Sequence, residues 1–129
     1  MALKAKKEKK KNRKKPIKEK YLLKLWAKAV KIRDKYRCVY CGKTFELDSH
    51  HIFSRRNASI KYNMDNGITL CRKHHDLTMT SYDMKTWIIN YVGKEKYDWL
   101  ERESYEIKKW TEAEKVEIKA ELKGYIDGR

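Results

Sequence analysis

All three cysteines of this 129-residue chain, Cys38, Cys41 and Cys71, and all four histidines, His50, His51, His74 and His75, fall between positions 38 and 75. These side chains ligate transition metals and exchange protons near neutral pH. Spacing divides them into two sets. Cys38-x2-Cys41 and Cys71-x2-His74 are short pairs whose members converge, so three thiolates and one imidazole can enclose a tetrahedral Zn²⁺. Three cysteines are an odd number for a disulfide framework, and residues 1 to 20 hold no apolar block of the kind a secretory signal needs. A reducing, cytoplasmic setting and a structural zinc are therefore expected, and the metal would supply much of the folding free energy of so small a domain.

His50, His51 and His75 are left over from that inventory. Two imidazoles can hold a divalent cation with water in the remaining positions, the open kind of site that catalysis needs. The third, neutral near pH 7, can accept a proton from an attacking water. The bland alternative has one or two of these rings satisfied by hydrogen bonds in the core. No small-molecule organic cofactor is expected.

The elements that must position these residues are readable from periodicity. From Tyr21 to about Arg37, Leu22, Leu25, Trp26, Ala29 and Val30 recur at helical spacing, with Lys24, Lys28 and Lys31 on the other side. A Cys38-Val-Tyr-Cys41-Gly42 turn leads into a strand-like stretch, Phe45 to Phe53, that carries His50 and His51. Gly67 to Cys71 reads as a second short strand after an Asp65-Asn66-Gly67 turn signal. A short helix from Arg72 to about Met79 would carry His74 and His75. Further helices are predicted over Asp83 to Val92, closed by Gly93, Glu95 to about Tyr105, and Glu112 to about Ile126, the last opened by a Thr111/Glu114 capping box. The aromatics Trp87, Tyr91, Tyr97, Trp99 and Trp110 in these segments read as core packing rather than base-stacking platforms.

The chain carries 33 Lys+Arg against 18 Asp+Glu, a net charge of +15. Residues 1–20 contribute +9, residues 21–75 contribute +8 and residues 76–129 contribute −2. Clustered cations displace the counterions condensed on nucleic acid, so DNA is the expected partner. An anionic membrane surface is the competing and poorer reading, and no run of about 18 apolar residues could cross a bilayer. Residues 1–20 have almost no core-forming side chains and are expected to be a disordered or nascently helical arm, either a solubilising tail or a phosphate-seeking one. The arm would precede a metal-bearing core over residues 21–80 and a helical extension over residues 81–129. Arg55 and Arg56, just after the histidine pair, could clamp a phosphate backbone or sit in a solvated loop. Nothing in the sequence fixes an oligomeric state.

From Trp26 to Asp76 the sequence resembles the HNH endonucleases. The resemblance rests on Cys38-Val-Tyr-Cys41-Gly42, Asp48-Ser-His50-His51-Ile52 and Asn63-Met-Asp-Asn66-Gly-Ile-Thr-Leu-Cys71-Arg-Lys-His74-His75. It implies an α+β fold, a small zinc-stabilised ββα-metal core flanked by α-helices. His74 stands where that family usually has a fourth zinc cysteine. By the resemblance, His50 is a ligand of the catalytic metal, His51 the general base and His75 the second metal ligand. Asn66 completes the catalytic set as the middle asparagine, pinning the loop between the strands rather than binding metal. Asp48 would be a further ligand, an orienter of a histidine, or a solvated carboxylate. The implied catalytic ion is Mg²⁺ or Mn²⁺, with softer ions admitted by an imidazole at His50.

A second resemblance is to phage recombination nucleases of the NinG/Rap type. It rests on Phe53-Ser54-Arg55-Arg56, Lys61-Tyr62-Asn63, the run from Trp87 to Tyr97, and Lys109-Trp110-Thr111. The function expected from both is metal-dependent hydrolysis of DNA phosphodiester bonds by a phage-encoded endonuclease, with branched recombination intermediates as one candidate substrate. The rival reading is a noncatalytic zinc-finger-like DNA-binding accessory protein, which would leave His50, His51 and His75 without a task.

Overall fold

The computed structural model describes residues 15–54 and 56–128. The first fourteen residues of the expected arm, Arg55 and Arg129 lie outside the described residues. Helix α1 spans Glu19–Arg33 and buries Leu22, Trp26, Ala29 and Val30, the apolar face seen in the sequence. It takes in the last two residues assigned to the arm. It ends four residues sooner than predicted because Lys35 and Tyr36 turn left-handed, at φ 59° and 51°.

Strands β1 (Leu47–His51) and β2 (Gly67–Cys71) form one antiparallel pair, in register from Leu47 opposite Cys71 to His51 opposite Gly67. β1 is shorter than the stretch predicted from Phe45 to Phe53. At its start, Phe45 is exposed and Glu46 takes a positive φ of 53°, which breaks the extended run. At its end, Ile52 and Phe53 leave β2 and bond instead to Asn66, at the end of a 3-10 turn over Met64–Asn66.

Four helices follow among the described residues. They are α2 (Arg72–Leu77), α3 (Tyr82–Val92), α4 (Lys94–Ser104) and α5 (Glu112–Asp127). Ser81 caps α3 by accepting from the Met84 amide, and Thr111 with Glu114 forms the predicted capping box of α5. The molecule is a mixed α+β fold in which five helices surround a two-stranded sheet, counted among the described residues. None of these helices is long and apolar enough to cross a membrane.

Alternation along β2 sends its two faces to different helices. Ile68 and Leu70 pack with Cys38, Cys71, Met84 and Ile88 against α3. Gly67 faces α1, where Trp26, Ala29 and Val30 pack with Leu122 of α5. A third cluster, Ala58, Ile60 and Leu100, supports the loop after β1. Of the aromatics expected to pack, Trp87 lies against the first cluster, whereas Tyr91 and Trp99 are substantially exposed.

Candidate metal and catalytic site

The turn before β1 and the junction of β2 with α2 bring Cys38, Cys41, Cys71 and His74 together. Their ligand atoms all lie within 4.8 Å of one another. The Cys41 and Cys71 sulfurs are 3.9 Å apart, and His74 Nδ1 stands 3.9 Å from Cys38 Sγ and 3.1 Å from Cys71 Sγ. A tetrahedral zinc with bonds of about 2.3 Å to sulfur and 2.0 Å to nitrogen sets such separations at roughly 3.8 Å between sulfurs and 3.5 Å between sulfur and nitrogen. The donor set and its spacing therefore fit a metal ion such as Zn²⁺.

The backbone builds this cradle. The Gly42 amide bonds to the Cys38 carbonyl at 2.8 Å, and Gly42 adopts φ 80°, a left-handed turn that favours glycine. Val39 N–H bonds to the Thr69 carbonyl at 2.9 Å, tying the turn to β2. Burial pushes the Cys38 thiol up, but the amides of Cys71, Cys41 and Tyr40 outweigh it and shift the group toward thiolate. At Cys41 the Lys43 amide favours the thiolate, and burial with the Cys38 and Cys71 sulfurs outweighs that, so the net shift is upward. Sulfurs crowded this closely ionise together only beside a cation.

On the other side of the hairpin, His50 of β1 meets His75 of α2 with ring centroids 5.0 Å apart. Burial, and then the neighbouring imidazoles of His75 and His51, lower the His50 pKa to about 4, which keeps it a neutral donor. His75 Nδ1 stands 3.2 Å from Asp48 Oδ2. A carboxylate only accepts, so that nitrogen carries a proton, and in the neutral ring Nε2 is then the nitrogen with the lone pair, the usual arrangement behind a metal-binding histidine. Asp48 also lies 3.8 Å from the Arg72 guanidinium.

His51 is held differently. Its Nε2 is 3.0 Å from the Lys61 carbonyl, which again only accepts, so Nε2 is the protonated nitrogen and Nδ1 the basic one. Burial lowers its pKa, partly opposed by that bond. The ring lies flat on Trp26, with centroids 3.7 Å apart and planes 5° from parallel.

Trp26 was visible in the sequence only as a core residue, and the structure gives it a second task. Its Nε1 donates to the Asn63 carbonyl at 2.9 Å, while Arg33 donates to the carbonyls of Met64 and Gly67 at 2.6 Å each. Asp34 holds Arg33 through two bonds and accepts from the Thr69 amide at 2.9 Å. Helix α1 thus clamps the loop that leads into β2. The approach is possible because residue 67 has no side chain: a Cβ there would lie 2.4 Å from Trp26 Cζ2 and 2.9 Å from Val30 Cγ2.

Asn66 is fully buried. Its amide accepts from Phe53 N–H at 2.9 Å and donates to the Phe53 carbonyl at 2.8 Å, with a longer contact to the Ile60 carbonyl at 3.4 Å. The two halves of the loop between the strands are joined through this one side chain. Arg56 is exposed, and Arg55 lies outside the described residues.

His50 and His51 open onto a cleft of about 300 Å³, closed on its far side by Thr78, Lys85 of α3 and Tyr97 of α4. Lys85 and Tyr97 carried no local signal of such a role. They reach the cleft only because α3 and α4 fold back beside β1.

A family model described as NinG, the bacteriophage lambda NinG protein, matches residues 1–127. No curated protein and no solved structure matches the chain.

Proposed function

The chain belongs to the family of the bacteriophage lambda NinG protein, and from that membership and its three spare imidazoles we propose that it is a metal-dependent DNA endonuclease of the HNH type, serving phage recombination. The observation that carries the reading is His51. A carbonyl fixes its tautomer through Nε2 and an indole fixes its plane, so its basic nitrogen is preset, one residue along the strand from His50, whose ring meets that of His75.

In this reading His51 Nδ1 takes a proton from a water as its oxygen attacks phosphorus. The phosphorus–O3′ bond breaks, the 3′ oxygen takes a proton from solvent, and the ends are 5′-phosphate and 3′-hydroxyl. The imidazolium that forms is stabilised by the Lys61 carbonyl and by the Trp26 face, a cation–π contact worth about 0.5–2 kcal/mol. His50 and His75 would hold Mg²⁺ or Mn²⁺, which supplies Lewis-acid stabilisation of charge on the phosphate and the departing oxygen. Asp48 orients His75 through its Nδ1 proton. The Cys38, Cys41, Cys71 and His74 cluster would hold structural zinc and with it the mutual placement of β1 and α2.

The test is cleavage of supercoiled plasmid in Mg²⁺ or Mn²⁺ by the wild type and His51→Ala. The wild type should nick or linearise the plasmid, and the variant should be slower by about 10²–10⁴-fold. Equal cutting by both, or no cutting across a range of metals, would overturn the reading. Binding in a gel shift without any turnover would favour a noncatalytic DNA-binding module.

A further inference from the structure

We propose that Lys85 is the residue that grips the DNA phosphate in the cleft beside His50 and His51, an inference that rests on the nuclease reading. The cleft is lined by the end of β1, the turn after α2, α3 and α4. Among the described residues that line it no carboxylate occurs, and Lys85 is the one permanent cation. A phosphate entering this cleft beside the histidine pair therefore meets the fixed positive charge of Lys85 and no opposing carboxylate among the described lining residues.

The lysine is uncommitted. Its helix neighbours at three and four residues are Tyr82, Ser81, Ile88 and Ile89, none of them acidic, so no ion pair forms along α3. No hydrogen bond or ion pair engages its ammonium among the described residues. Five lysines, by contrast, are drawn into ion pairs: Lys43 with Glu46, Lys61 with Glu19, Lys94 with Asp98, Lys96 with Asp65 and Lys108 with Glu114. Meanwhile Met84 and Ile88, on either side of Lys85, are buried against the hairpin and fix the helix that presents it. At about 300 Å³ the cleft is at the small end of ligand sites, sized for one backbone linkage rather than the width of a duplex.

The experiment measures binding of fluorescently labelled single-stranded and duplex oligonucleotides by zinc-loaded protein without Mg²⁺ or Mn²⁺, across a salt series. Wild type, Lys85→Gln, Lys85→Arg and Lys123→Gln on α5 are compared. One lost phosphate contact should reduce the slope of log K against log salt by about 0.7 for the single strand and 0.9 for the duplex. That loss is expected in Lys85→Gln alone, with Lys85→Arg and Lys123→Gln keeping the wild-type slope. Zinc content and melting temperature of Lys85→Gln should match the wild type. An unchanged slope in Lys85→Gln, or an equal loss in Lys123→Gln, would overturn the assignment. If the slope falls as stated while wild-type protein cuts no plasmid, the phosphate contact stands and the nuclease reading fails.

Discussion

Replacing Gly67 by alanine tests the packing that holds His51. The added Cβ would lie 2.4 Å from Trp26 Cζ2, whereas carbon atoms in contact settle at about 3.5–4.0 Å, so something must move by roughly 1.1–1.6 Å. Neither side yields cheaply. The indole is held by its bond to the Asn63 carbonyl and by its stack on His51, and Gly67 is held by pairing with His51 and by the Arg33 bond to its carbonyl. Overpacking costs about 1–3 kcal/mol and each strained hydrogen bond about 1 kcal/mol, so a loss of about 2–4 kcal/mol is expected. At about 4 °C per kcal/mol for a chain of this size, the melting temperature at saturating zinc should fall by about 8–16 °C. At a temperature where the variant is still fully folded, a His51 ring displaced by about 1 Å should lower plasmid cleavage by about 10²-fold. Trp26→Leu in the Gly67→Ala background removes the clashing atoms, and the double mutant should be more stable than the two single losses imply, by about 0.5–3 kcal/mol. A Gly67→Ala protein that melts within about 1 °C of wild type and cleaves normally would refute this account of the Trp26–His51 stack.

Cys71→Ser removes one of four clustered donors, so metal analysis should show the loss of about one equivalent of zinc, and circular dichroism a loosened or unfolded domain; full zinc retention with native stability would refute the four-ligand set. Asp48→Asn leaves His75 without its carboxylate, and by the usual cost of such an orienting partner the affinity for Mn²⁺ and the cleavage rate should fall about 10–100-fold, read by titration calorimetry and plasmid assay while the melting temperature holds. Asn66→Ala strands the Phe53 N–H and carbonyl, which should cost about 2–4 kcal/mol and sharply speed hydrogen exchange at the Phe53 amide; unchanged exchange there would contradict the proposed bridge.

The parts of the molecule legible in its sequence are those whose signal is local. Cys38, Cys41, Cys71 and His74 declare themselves by spacing, and the structure gathers all four. Helices α1 and α3 to α5 follow from periodicity and caps, with ends displaced by one to four residues where backbone torsions at Lys35, Tyr36 and Gly93 decide the boundary. Phe45 and Phe53 extend the apolar alternation beyond the strand itself, while Glu46 at positive φ and the Asn66 bonds cut β1 at both ends. The contacts that Trp26, Arg33 and Asp48 make with residues 27 to 37 positions away left no trace in the sequence. Nothing near Trp26 or Arg33 announces the carbonyls of Asn63, Met64 and Gly67, and the sequence around Asp48 fits ligand, orienter and solvated carboxylate alike, whereas the fold sets it against His75.

His74 and His75 are neighbours on a helix of six residues, one turned to the sulfurs and the other to His50. Successive residues on a helix point about 100° apart, so α2 acts as a single shaft with two keys cut into it. Seating His74 among the thiolates sets the rotation of the shaft, and that rotation aims His75. A residue inserted or deleted between Cys71 and His74 would turn both keys out of their locks together. The segment should therefore accept changes at Arg72 and Lys73 far more readily than any change in its length, since one rotation sets the aim of both histidines.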